Sequence, residues 1–391
     1  MTDLLTRLLG RLPIGWLQLV HNKTRLLAAL GGVAFANVLV FMQLGFLGAL
    51  VGSIELPYDR MDADILISGA DSKTLNEGSP VPRQRMFEAL AVDGVASAAP
   101  LYIGKVNWRQ PDGTSKTLDA LGVDPSRSTL LLPDAPNGLD AIRIADHALI
   151  DEKIRNVDGT VFERIRDGER YRFETRDRTI TFVGTFGIGG GFSSEGYMVV
   201  SDQTFLRLFP SRSAGAPDHI LVRVRDGADA EAVRDRLRRA LPNYDTLVRT
   251  LTEAMEADQA YQTTQKPVGL IFYFGVVIGV LVGIIIVYQV LSTDVADHLR
   301  EYATFKAIGF PQRFFLSSVI EEAMVLALLG FVPGAILSVG LYAAVTRATG
   351  LPVAMDASRL ALVLVGTIAM CIVSGAIATR RLARADPADL F

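Results

Sequence analysis

Cysteine is nearly missing from this chain: Cys371 is the one such residue in 391. No disulfide can form within it, and any folded domain must rest on its own core. Histidine is scarce as well. His21, His147, His219 and His298 pair with nothing at metal-ligand or triad spacing and read as ordinary surface or structural residues. No Gly-x-x-x-x-Gly-Lys-Ser/Thr is present, and the run Gly187-Ile-Gly-Gly-Gly191 precedes Phe192 rather than a helix. That run is expected to be a loop or hairpin tip. A basic excess is absent too, since the formal net charge is -3, which excludes a nucleic-acid partner. The sequence therefore offers no catalytic, cofactor-binding or metal-ligating residues and does not read as an enzyme.

What is abundant is apolar surface, and it is segregated. Half of the residues are hydrophobic and the mean hydropathy is +0.30, yet 21% are charged. Four apolar stretches, residues 26–52, 267–292, 314–346 and 360–379, each reach the ~20 residues that a helix needs to cross a bilayer. Between the first two lies a polar block. Residues 53–265 carry 26 Lys and Arg against 33 Asp and Glu. The expected fold is four transmembrane helices with an α+β domain inserted between helices 1 and 2.

Orientation follows from the short segments, because Lys and Arg are retained on the cytoplasmic side while large domains translocate largely regardless of charge. Arg7, Arg11, Lys23 and Arg25 precede the first span. Arg300, Lys306 and Arg313 lie between spans 2 and 3, and Arg380, Arg381 and Arg384 follow span 4. The short loop 347–359 has only Arg347 and Arg359. Both termini and the loop 293–313 are thus expected in the cytoplasm, with the large domain outside. The run Leu26–Gly52 is too long for a secretory signal and is expected to be a retained span. Residues 1–25 read as a cytoplasmic N-terminal segment in which Trp16, Leu17, Leu19 and Val20 among polar neighbours suit an amphipathic surface helix, or a plain extension of the span.

The polar block, 53–266, reads as mixed α and β. Strands are expected at 64–68, at 95–108 and 115–123 around the turn Gln110-Pro-Asp-Gly113, within 170–186, and at His219–Val224. Helices are expected at 83–91 and Ala228–Ala240. This order suggests one α+β unit interrupted by a β-rich insertion, residues 125–215. Residues 250–266 are expected to run without a break into the second span as a stalk.

The spans are poor in ionisable groups, which argues against an ion-coupled carrier. Glu321 and Glu322 are the exception. They read as a proton or substrate site, or as a pair of which one meets a basic group near the inner interface; the second reading fits better. Gly275, Gly279 and Gly283 form a small-residue stripe suited to a dimer or bundle contact. Pro333 with Gly330 and Gly334 is expected to bend span 3.

The loop 293–313 is the most specific segment. Thr293 begins a stretch with acids in its first turns, Lys306 in its last, then Gly309 and Pro311 as a stop. Leu299, Tyr302, Phe305 and Ile308 recur at spacings of three to four. This is a short amphipathic helix between two spans, suited to being pushed by a soluble partner.

That loop, Arg300-Glu-Tyr-Ala-Thr-Phe-Lys-Ala-Ile-Gly309, resembles the coupling segment of the MacB/FtsX/LolC-type ABC transporter permeases. So do Glu322-Ala323, Leu328-Leu-Gly330 and the tail Arg384-Ala-Asp-Pro-Ala-Asp-Leu390. Trp16-Leu-Gln-Leu19, Lys23-Thr-Arg-Leu26, Gly32-Val-Ala-Phe-Ala36 and Phe41-Met-Gln-Leu-Gly-Phe46 resemble the DevC subfamily. The resemblance implies a bacterial inner-membrane permease that works as a homodimer with a separate ABC ATPase, which would hold the ATP and Mg. Residues Asp297, Arg300, Glu301, Tyr302, Phe305, Lys306, Ile308 and Gly309 would receive the ATPase's motion and pass it to the outer domain. It further implies a periplasmic membrane fusion protein and an outer-membrane tunnel protein, with glycolipid or other periplasmic cargo. A lipoprotein-releasing permease and an FtsX-like regulator of a cell-wall hydrolase are the rival expectations.

Overall fold

The computed structural model describes residues 23–384 except 111–112, 128, 134, 136–137, 299–303, 305–307 and 310, and without the side chains of 312–315 and 380–384. Its four longest helices are α1 (Lys23–Tyr58), α7 (Pro267–Asp297), α8 (Gln312–Thr349) and α9 (Ala357–Arg384). Each contains a segment long and apolar enough to cross a membrane. The expected N-terminal segment 1–25 falls almost wholly outside the described residues, as does the tail motif beyond Arg384.

Two units divide the chain. The helical unit takes the chain through Gly48, then Leu270–Arg347 and the chain from Val353. It is held by small and branched side chains: Ala29 and Val33 on α1, Val287 and Leu291 on α7, Val319, Ala323 and Leu326 on α8, Met370 and Cys371 on α9. Such residues let helices approach closely where burial of apolar surface from water cannot drive their association.

Ala49–Gly269 with Ala348–Pro352 forms the sheet unit. Its strands are β1 (Ile65–Gly69), β2 (Val95–Arg109), β3 (Ser115–Val123), β4 (His147–Asp151), β5 (Tyr171–Thr175), β6 (Arg178–Phe186), β7 (Gly196–Ser201), β8 (His219–Val224) and β9 (Thr246–Thr250). They build one sheet in the order β5-β6-β4-β7-β3-β2-β8-β1-β9. The interspersed helices are α2 (Gln84–Leu90), α3 (Gly159–Arg166), α4 (Asp202–Leu208), α5 (Ala230–Ala240) and α6 (Leu251–Thr264).

Local signals explain much of this. β2 and β3 pair antiparallel from Leu101 opposite Val123 to Arg109 opposite Ser115, and Gly113 closes their turn at φ +84° with its N–H on the Gln110 carbonyl. Arg176 and Asp177 turn β5 into β6 with both φ values positive, as a tight two-residue hairpin requires. Thr250 and Glu253 form a reciprocal capping box that starts α6.

Residues 125–215 contribute β4 to β7, which stand together at one end of the shared sheet. The join is a parallel pairing of β3 with β7, from Leu118 opposite Gly196 to Val123 opposite Ser201. Each half has its own core. Trp108, Phe182, Phe173 and Phe205 fill one, with Trp108 edge-on to Phe182 at 5.6 Å. Ile65, Ile67, Met86, Ile220 and Leu237 fill the other.

One expectation is corrected and another narrowed. The stalk does not run unbroken into the second span: α6 ends at Thr264, and the N–H groups of both Gln265 and Lys266 bond the Tyr261 carbonyl before Pro267 starts α7. Proline has no N–H to continue the ladder and disfavours helical backbone in the residue before it. The glycine run 187–191 is a loop, as expected, but not a hairpin tip. It is a largely buried connection between β6 and β7, and a Cβ at Gly190 would collide with the Glu195 carbonyl oxygen.

Candidate functional site

Three places hold side chains whose chemistry exceeds what packing alone requires. The first is the end of the helical unit where α7 runs into the loop 293–313. Arg25, near the start of α1, forms ion pairs with Asp294 at 3.5 Å and with Asp297. His298 lies one turn after Asp294, its Nδ1 3.0 Å from the Asp294 carbonyl and 3.5 Å from the carboxylate. Glu322 of α8 is buried against the Asp294 carboxyl, and Glu321 beside it is buried too. Arg25, Asp294 and Glu322 thus tie α1, α7 and α8 together through polar groups.

Of the residues expected to couple to a motor, Asp297 belongs to this cluster. Arg300, Glu301, Tyr302, Phe305 and Lys306 lie outside the described residues. Ile308 is 68% exposed, and its N–H bonds the Thr304 carbonyl at 3.1 Å. Gly309 follows at φ +104°, a conformation that ends a helical turn and favours glycine.

The second place is the interior of the helix bundle. Gly275, Gly279 and Gly283 do not form an open face: Gly275 meets Gln43, Gly279 meets Val40 at 2.9 Å from an added Cβ, and Gly283 meets Ala36 and Met370. The stripe packs α7 onto α1 and α9 within the chain. The Thr367 hydroxyl lies 2.6 Å from Asn37 Oδ1, and the Ser374 hydroxyl bonds the Ile284 carbonyl at 3.0 Å, giving two polar cross-links between helices.

The third place is in the sheet unit, where α1 ends and α6 passes to α7. Asp258, on the inner face of α6, accepts hydrogen bonds from the Tyr58 hydroxyl at 3.1 Å, the Leu75 N–H at 2.9 Å and Gln262 Nε2 at 2.7 Å. Burial pushes its carboxyl above the ordinary range despite these donors. Asp151 at the end of β4 accepts from the N–H groups of Ile188, Gly189 and Lys153, which is why the glycine run folds inward. Burial raises its carboxyl too. Tyr197 lies near both acids and Asp119, and burial holds its phenol well above the usual tyrosine range.

A cleft of ≈ 240 Å³ opens beside Asp258 and Tyr197, lined also by Leu50, Ile54, Asn76, Ser193 and Val268. Residue types alone do not single out Asp258, Asp151 or Tyr197. The one local hint is a carboxylate four residues before Gln262 on a helix that must bury one face.

Two family models match the chain: a MacB-like periplasmic core domain over residues 26–240 and an FtsX-like permease C-terminal region over residues 273–387. The pyoverdine export ATP-binding/permease protein PvdT of Pseudomonas putida is 30% identical over 209 residues, covering 51% of this chain and 30% of that one. An uncharacterized ABC transporter permease of Mycobacterium tuberculosis is 33% identical over 112 residues, 28% of this chain and 31% of its own length. The chain thus spans less than a third of the length of these curated relatives. Among solved structures, the periplasmic region of MacB from Actinobacillus actinomycetemcomitans aligns over 50% of this chain and 92% of its own, with 11% identity and a TM-score of 0.33. The extracellular domain of the transporter YknZ from Gram-positive bacteria aligns over 45% and 90%, with 11% identity and a TM-score of 0.32.

Proposed function

We propose, since the chain belongs to the MacB/FtsX-type family of ABC transporter permeases, that it is the membrane subunit through which a separate ATPase drives export of an extracytoplasmic substrate. Its sheet domain is extracytoplasmic. The loop 293–313 is assigned to the cytoplasm, where basic residues accumulate on the same side. Nucleotide binding is assigned to a partner ATPase, as membership in this permease family implies.

The observation that carries this reading is the polar tie at the root of the loop. Arg25, Asp294, Asp297 and Glu322 join α1, α7 and α8 where α7 gives way to that segment. A push on a free loop would be lost in bending of the loop itself. A push on a loop rooted in a charge cluster moves three helices together, and α1 continues directly into the sheet domain. Pairing of two permease copies, a membrane fusion protein and an outer-membrane tunnel complete the proposed exporter, on the pattern of DevC-type systems.

The test is purification of the full chain from its native host. An ABC ATPase is expected to come with it, and its ATP hydrolysis in lipid nanodiscs is expected to respond to the permease. Glu301→Ala and Phe305→Ala should weaken that response while leaving membrane insertion intact. A chain that recruits no ATPase, or variants that stimulate hydrolysis like the parent, would overturn the assignment.

A further inference from the structure

We infer that the crevice between α1, α7 and α9 binds a small uncharged lipophilic molecule through one hydrogen-bond acceptor, such as the carbonyl oxygen of a ketone, taken up from the bilayer. The inference goes beyond the export reading and does not depend on it, because it concerns a ligand of the spanning helices and not cargo.

The lining sets the body of the ligand. Val40 and Leu44 of α1, Val280 of α7, and Val363 and Gly366 of α9 bound the crevice, and among the described residues that line it only Asn37 and Thr367 have polar side chains. None of them is charged, so a charged ligand would leave water for hydrocarbon without meeting a counter-charge. An apolar protein cavity of about 150 Å³ takes a benzene ring. This crevice, at ≈ 210 Å³, takes a ring with a small substituent. Gly366 leaves part of that room, since a Cβ there would meet nothing within 4 Å.

One amide sets the polar end. Asn37 is 2% exposed, and its Nδ2 has no hydrogen-bond partner among the described residues. Its Oδ1 is already used, because the Thr367 hydroxyl stands 2.6 Å from it and 2.6 Å from the Val363 carbonyl. That hydroxyl shares its one proton between two acceptors and has none for a ligand. The Asn37 amide therefore offers N–H donors and calls for an acceptor.

Depth decides where that acceptor comes from. Asn37 stands about 18 Å along α1 from Arg25. Arg25 marks the inner end of the span, so the amide lies well inside the ~30 Å hydrocarbon core, where no bulk water replaces a missing partner. An N–H left bare at that depth is costly, and an acceptor carried in on an apolar body relieves the cost. A molecule seated there touches three helices at once and binds only the folded bundle, so it raises thermal stability.

The experiment uses the full chain in nanodiscs of phosphatidylethanolamine and phosphatidylglycerol, with no ATPase present. The probe is acetophenone bearing a methyl diazirine on its ring. Its competitors, compared at equal concentration in the lipid, are acetophenone and α-methylstyrene, which has the same shape with a methylene in place of the carbonyl oxygen. The probe is expected to label residues 36–44 and 362–370 saturably, with acetophenone competing about fivefold better than α-methylstyrene, the worth of one hydrogen bond. Asn37→Leu keeps the volume and removes the amide, so labelling should persist while the two competitors become equal. Gly366→Leu, or Val280→Phe from α7, should abolish saturable labelling, and acetophenone should raise the thermal midpoint of the parent but of neither filled variant. Equal competition in the parent, a ketone preference that survives Asn37→Leu, labelling that never saturates, or saturable labelling that persists in both filled variants would overturn the inference.

Discussion

The Asp258 carboxylate accepts the backbone N–H of Leu75 at 2.9 Å, joining two positions 183 residues apart in sequence. The other end of the same residue is held as well, since His219 Nε2 lies 2.8 Å from the Leu75 carbonyl. A carbonyl only accepts, so Nε2 carries the proton and Nδ1 takes the Ser68 hydroxyl at 2.8 Å. Burial lowers the affinity of His219 for a second proton. Two buried polar side chains from different strands and helices thereby fix the short segment that walls the cleft.

Removing the acid from this arrangement leaves donors without acceptors. Asp258→Ala orphans the Leu75 N–H and the Tyr58 hydroxyl in a buried place, at a cost of about 2–3 kcal/mol. Thermal unfolding of the purified protein should show the loss, and limited proteolysis should cut first within residues 70–78. A variant with an unchanged midpoint and an intact segment would show that Asp258 is not the anchor.

Asp119 on β3 makes the opposite case. It is 1% exposed, and neither carboxylate oxygen has a hydrogen-bond partner among the described residues. Burial pushes its carboxyl above the ordinary value of 3.8, and the charge of Lys105 offsets only part of this. A folded-state value above the unfolded one means stability is complete below the unfolded value and is lost as pH rises through the folded one. Asp119→Asn removes that titration. Melting curves from about pH 4 to 8 should show the variant gaining on the parent as pH rises, and equal slopes would refute the assignment.

The hairpin of β2 and β3 and the four spans are legible in the sequence because their signals are local. A turn of Gln110-Pro-Asp-Gly113, or twenty apolar residues in a row, needs no knowledge of the rest of the chain. The break before Pro267 is equally local, but the continuous helical pattern across residues 250–292 masks it. Asp258, Asp151 and Tyr197 are not legible. Whether a carboxylate faces water or Leu75 is decided by chain packed from 183 residues away, and no spacing within α6 encodes it. The glycine run misleads for the same reason: its inward course is dictated by Asp151, 37 residues earlier, and by the Glu195 carbonyl lying where a side chain at Gly190 would be.

Within the bundle, glycines differ in what surrounds them. A Cβ on Gly279 would stand 2.9 Å from Val40, a branched side chain on a neighbouring helix, whereas Gly366 has nothing within 4 Å. Gly279→Leu should therefore separate α7 from α1 and cost about 2 kcal/mol or more, while Gly366→Leu should be tolerated. Fluorescence-detected size exclusion after graded heating in detergent measures both. If Gly366→Leu proved the more damaging, the open face near Gly366 would be engaged by another molecule, and the α7 stripe would not be the contact that sets bundle packing.

Arg25 offers the sharpest test of the polar tie, because charge can be exchanged as well as removed. Arg25→Ala leaves Asp294 and Asp297 without their guanidinium beside the buried Glu322. Arg25 is itself 31% exposed at the side chain, so water screens part of the loss, and about 2 kcal/mol is expected rather than the roughly 3–5 of a fully buried pair. Arg25→Asp should be worse, since it adds a fourth acid to Asp294, Asp297 and Glu322. The double variant Arg25→Asp with Asp297→Arg restores one opposite pair across α1 and α7 and should recover much of the thermal midpoint that Arg25→Asp loses. Recovery without the coupled ATPase response would show that the tie holds the helices but that the orientation of its charges also matters to the loop. Absence of any recovery would show that Arg25 acts on something other than Asp297, and the rooted-loop account of force transfer would fall with it.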